Sequence, residues 1–360
     1  MTYEKLKTIL QDHHDWLYNR GRGQQAIIKG QNLSGMKLYN LNLQRIHFID
    51  CDLRGIMASG SNMDNCVFTG SNLSNSSMYD ITAVGSDFKR VTMYNARLNG
   101  SDLSNCDFSG ANLSNSNLSY TKLINSDFSF AILKGADLHK ATLAEAKLSD
   151  IDLENVDLSF LNLNGVKLIN VNMKNTDLTS TNLSNSKING DLKTAIFNST
   201  ILAHADLHDV DLSEVSLANV DITGAEFKNS KLIGTDFTGA KVRNTKMSHC
   251  NLSNAIMSNG SFIGVDLHNS ILDGVDGSGS DFSDSNMQLI SANKVNMAKS
   301  DLSNVFASES KILNSNFSSS NMINMNLSGA TIINSNMKDA IIKNVILNNA
   351  IIENTEGLGD

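Results

Sequence analysis

The chain has 360 residues, no proline, 6% aromatic residues and a formal net charge of −8. That balance excludes the basic footprint of a nucleic-acid binder. No run of about 18 apolar residues occurs, which excludes a helix built to cross a membrane.

The N-terminal stretch, residues 1–27, predicts a short amphipathic helix over residues 3–18. Leu6, Ile9, Leu10, His13, Trp16 and Leu17 fall on one stripe. Gly21-Arg22-Gly23 marks its stop. The helix is expected to cap the first layer of the fold formed from residue 28 onward, with Trp16 as anchor. The segment carries acids and lacks the apolar region of a Sec-type signal, so a cytoplasmic location is expected, with secretion by another route left open.

From residue 28 a five-residue rule takes over: small, Asp or Asn, Leu or Phe, polar, any. GSDLSNCDFSGANLSNSNLS shows it plainly. Bulky centres run in steps of five from Leu33 to Ile188, and again from Phe197 to Ile352, 32 in each run. Ala58, Ala83, Gly277, Ala292 and Ala307 are the undersized ones. A period of five is neither the 3.6 of a helix nor the 2 of a flat strand. It requires a backbone that turns a corner every five residues, with the centre and the small residue two before it pointing inward. Four such repeats close a square coil, and coils stack through backbone hydrogen bonds at about 4.8 Å. Phe48, Phe68, Phe88, Phe108 and Phe128 are spaced by twenty, with no other phenylalanine among them. They predict one aromatic column inside one wall.

The phase breaks once, between Ile188 and Phe197. The predicted organisation is a cap over 1–27, a first solenoid segment over 28–188, a short repeat or corner loop over 189–196, a second segment over 197–354 and a tail over 355–360.

This pattern resembles the pentapeptide-repeat family, over residues 28–354. The resemblance implies an all-β chain, a right-handed quadrilateral β-solenoid of about 16 coils, with the short helical cap in front. It is specific for fold and says little of function, since members with unrelated roles share it.

The residues offer little for catalysis. Cys51, Cys66, Cys106 and Cys250 all take the small inward position and read as packing thiols. His204 and His208 are spaced as a pair on a helix, but not on this coil, and His13 lies on the packing stripe of the cap. The many Asp residues sit just before centres, as do Asp102, Asp137 and Asp152, where a turn uses the side-chain oxygen. No phosphate loop, nucleophile elbow or zinc motif occurs. No catalytic residue, cofactor or metal is expected, and the chain is not read as an enzyme.

Three outward features stand out. Residues 1–190 hold 18 basic and 18 acidic residues, whereas residues 191–360 hold 11 and 19. The excess includes an acidic run of Asp206, Asp209, Asp211, Glu214, Asp221 and Glu226. Toward the C-terminus, Ile341, Ile346 and Ile351 take the Asp/Asn position, and Leu313, Ile323 and Ile333 follow their centres, a candidate dimer or partner surface. Tyr39, Tyr79, Tyr120 and Phe160 fall on one face as a candidate aromatic stripe. The leading expectation is a bacterial protein-binding scaffold rod, dimeric through its C-terminal end. The family resemblance adds two alternatives: a DNA mimic that binds DNA gyrase or topoisomerase IV, and a delivered effector.

Overall fold

The computed structural model describes residues 1–18 and 22–357. Gly21 and the last three residues of the expected tail lie outside the described residues. The chain folds into four-sided β-solenoid coils, about 16 turns in all, with one N-terminal helix, α1, Tyr3–Tyr18. It forms two compact units, the division falling between Asp177 and Leu178.

Within each unit the local geometry repeats. The residue before each centre forms a parallel bridge with its counterpart twenty residues on, as in Asn62 with Thr82 and Thr82 with Asp102. The Leu53 N–H donates to the Asn72 carbonyl at 2.8 Å, and the Asn72 N–H to the Cys51 carbonyl at 2.9 Å. Such a ladder uses N–H groups on every wall, which accounts for the absence of proline.

Each corner is a turn. The Ser76 N–H reaches back to the Leu73 carbonyl at 3.1 Å, and the residue two after the centre takes a positive φ, 56° at Asn75. Asn and Gly dominate this position because they enter the left-handed region at least cost. The Asp/Asn before the centre accepts from the residue after it: Asn72 Oδ1 takes the Ser74 N–H at 3.0 Å and its hydroxyl at 2.7 Å. That pair is the reason the motif reads Asn-Leu-Ser.

Inside, the centres are buried as expected through both units up to the last described coil, and most small positions are buried with them; Gln31, Met36 and Leu41 beside the cap are less covered. The phenylalanine column is present. Successive rings from Phe48 to Phe128 stack at 5.4, 4.9, 4.9 and 4.9 Å. Gly277 is no gap in the second unit, because a Cβ there would meet the Met297 sulfur at 2.6 Å.

The phase break is a four-residue repeat. Lys187 pairs with Asp206, nineteen residues on, whereas Asp191 pairs with Asp211, twenty on. Leu192 is fully buried four residues after Ile188, so it is a centre that the sequence count missed.

The cap rests on Leu6 and His13, not on Trp16, which is only half-buried and stacks on His13 at 5.3 Å. His13 Nδ1 accepts the Ala26 N–H at 3.1 Å, and Nε2 lies 2.8 Å from the Gln44 carbonyl. Because Nδ1 accepts, the proton sits on Nε2 and donates to that carbonyl. His13 thus satisfies backbone groups of the first coil as well as filling space.

Candidate interaction surfaces

The acidic run changes character once coils stack. Asp206 pairs with Lys187 at 3.1 Å and with His208 at 2.5 Å. Asp211 meets Lys193 at 3.4 Å, Asp221 meets Lys241 at 3.8 Å, and Glu226 pairs with Lys246 and lies 3.7 Å from His208. Burial works to raise the Asp206 carboxyl, but hydrogen bonds from His208 and Lys187 outweigh it and hold the group below its usual range. At Asp211, burial is likewise outweighed by Ser213 and Lys193. Only Asp209 and Glu214, at exposed corners, have no ion-pair partner among the described residues. The run therefore presents two free carboxylates within a largely neutralised patch. The sequence hides this because each lysine lies about one coil away along the chain.

Ile341, Ile346 and Ile351 are exposed, and Ile342, a centre of the last described coil, is partly so. Leu313, Ile323 and Ile333 are half-buried, Leu313 and Ile333 facing each other on paired strands Lys311–Leu313 and Thr331–Ile333. The apolar surface thus narrows to the last described coil.

The aromatic stripe separates into two kinds of residue. Tyr79 is half-buried beneath Arg97, whose guanidinium lies 5.3 Å from the ring, and the Tyr39 hydroxyl sits 2.8 Å from the Met57 sulfur. Tyr120 and Phe160 stand instead at left-handed corners, with φ of 59° each. They are 58% and 72% exposed. Lys140, on the corner between them, places its ammonium 5.2 Å from the Tyr120 ring, and His139 meets that ring edge-on at 5.8 Å. Beside them opens a concavity of about 310 Å³ lined by Gly135, Asp137, His139 and Asp157. The sequence reading missed Phe130, at φ 60° and 65% exposed on the diagonal corner. The available signal was an aromatic in the fifth position of a repeat, where Asn or Gly is usual.

The thiols are packing groups. All four cysteines are free and buried, and burial pushes Cys66, Cys106 and Cys250 up to about 12. A thiol held protonated is a poor nucleophile. Among the described residues no cluster of three or more His, Cys, Asp or Glu is arranged to hold a metal ion, and no helix is long and apolar enough to cross a membrane.

No curated protein matches the chain in sequence. Among solved structures, full-length QnrB1, a plasmid-mediated fluoroquinolone resistance protein, is 20% identical over 56% of this chain and 92% of its own, with a TM-score of 0.33. HetL, a pentapeptide repeat protein involved in heterocyst differentiation regulation from the cyanobacterium Nostoc, is 19% identical over 81% of this chain and 96% of its own, with a TM-score of 0.22. The family model for pentapeptide repeats matches without a gap from residue 46 to residue 297 and again over 313–349. With most of its length matched and its coils built on five-residue repeats, the chain belongs to the pentapeptide-repeat family.

Proposed function

We propose that the chain is a non-enzymatic scaffold that binds a protein partner through the corner column of Tyr120 and Phe160. One observation carries this reading. Two large aromatic side chains occupy left-handed corners and remain mostly exposed. A non-glycine residue there costs roughly 1–2 kcal/mol in backbone strain, which the edge contacts of Lys140 and His139 with Tyr120 offset only in part and an exposed Phe160 does not offset by burial. A bulky, strained and exposed residue is a reasonable place to look for a partner contact. Aromatic anchors also carry much of the energy of protein interfaces.

The test is a pull-down from the native host with the wild-type chain and with Tyr120→Asn/Phe160→Asn, read by mass spectrometry. A partner retained by the wild type and lost from the variant supports the reading. Identical partner sets overturn it.

A second reading, a DNA mimic directed at a type II topoisomerase, draws on Asp209 and Glu214, free carboxylates at neighbouring corners. The lysines paired with Asp206, Asp211, Asp221 and Glu226 count against it, because they remove the negative potential a mimic needs. A supercoiling assay decides it: inhibition or protection of gyrase or topoisomerase IV that Asp209→Lys/Glu214→Lys abolishes would favour the mimic. Homodimerisation through Ile341, Ile346 and Ile351 is a further part of the proposal, supported by their exposure. Light scattering should give a dimer mass that Ile346→Lys/Ile351→Lys converts to a monomer.

A further inference from the structure

We infer that the groove between α1 and the first coils binds a small amphipathic anion, a single apolar chain ending in a carboxylate. The helix seats Leu6 and His13 on the first coil but does not seal it. Beside the seat a groove of about 320 Å³ remains, floored by leucines that include Leu10, Leu38 and Leu41. Leu41 holds an inward position of its repeat, where most side chains are buried, yet it is 37% exposed. It is a core residue that opens into the groove.

The rim supplies the second, independent observation. Lys7 on the helix and Lys37 on the coil both line this groove. Neither has a carboxylate partner among the described residues. Elsewhere in the same unit some lysines meet aspartates about one coil away, Lys89 with Asp107 at 3.0 Å and Lys147 with Asp127 at 3.0 Å, while others, such as Lys134, stand in no ion pair among the described residues. Lys37 has no such relief, because the next residue in its ladder is Met57. Two unpaired ammonium groups over a leucine floor select a ligand with an apolar body and a negative head. The volume lies at the low end of small-molecule sites. It suits one apolar chain.

The test uses the full chain and sodium decanoate below its micelle concentration, followed by titration calorimetry. Saturable binding at one site is expected by about millimolar ligand, weakened at least about tenfold in Lys7→Gln/Lys37→Gln and in decanol, which keeps the chain and lacks the charge. Unchanged Trp16 emission in the variant shows that the helix is still seated. Absence of saturable heat, equal affinity for decanol, or full affinity in the seated variant would each overturn the inference. So would binding seen only with anionic vesicles and never with free decanoate.

Discussion

Ser71 reaches back one coil to accept the Cys51 N–H at 2.9 Å, and its hydroxyl donates to the Phe48 carbonyl at 2.8 Å. The side chain stands inside the preceding coil's corner, bridging the two backbone groups that a simple turn would join directly. Ser61 does the same for Leu41 and Leu38, and Ser126 for Cys106 and Leu103. The small inward position therefore serves hydrogen bonding as well as space.

This gives a paired prediction. Ser71→Ala leaves the buried Cys51 N–H without its hydroxyl partner and should cost about 1–3 kcal/mol. Ser76, equally buried in the next repeat, has a hydroxyl with no partner. Ser76→Ala should be neutral or stabilising. Urea denaturation of both variants measures the contrast, and equal losses would refute the bridging role.

The cap should respond to acid. Burial holds the His13 ring below its ordinary value of 6.5, with smaller opposing and reinforcing effects from the Gln44 carbonyl, His14 and His47. A histidine whose folded value is depressed contributes its full stability above the unfolded value, and that stability is lost as pH falls through the folded one. Trp16, the single tryptophan, stacks on this ring. Its emission should change as pH falls below 6.5, before circular dichroism reports loss of the solenoid. Coincident transitions would show that the cap has no titration of its own.

The phenylalanine column should be the least tolerant part of the first unit. Phe108 is fully buried between two rings at 4.9 Å. Phe108→Ala should cost about 3–5 kcal/mol through the cavity it leaves. Phe88→Asp or Phe108→Asp should prevent folding, because the charge would have no partner. A wild-type melting temperature in either Asp variant would mean that the inward register is wrong.

Stability and binding should trade against each other at the corners. Phe130 holds φ at 60° where asparagine is usual. Phe130→Asn should raise stability by about 1 kcal/mol by easing backbone strain. Thermal melting tests it, and a lower midpoint would show that the ring packs usefully where it stands.

The fold was legible because one period governs it. Each centre from Leu33 onward repeats the same statement about which way the chain points, and the twenty-residue spacing of Phe48 to Phe128 closes the square. What escaped reading depends on neighbours one coil away. Lys187 lies nineteen residues before Asp206, so the acidic run looked unopposed in sequence. Leu192 fits the later phase but stands inside the interval where counting stopped. Corner strain at Tyr120, Phe130 and Phe160 is a property of φ, visible in sequence only as an unusual residue in a permissive slot.

The serine bridges give the solenoid a direction in time. The Cys51 corner receives its hydroxyl from a residue twenty positions later, and the Phe48 carbonyl is satisfied by one twenty-three positions later. A ribosome delivers the earlier coil first, so during synthesis that corner waits for a side chain not yet made. Each bridged coil is finished by its successor, and the leading edge of the nascent chain is always the least complete.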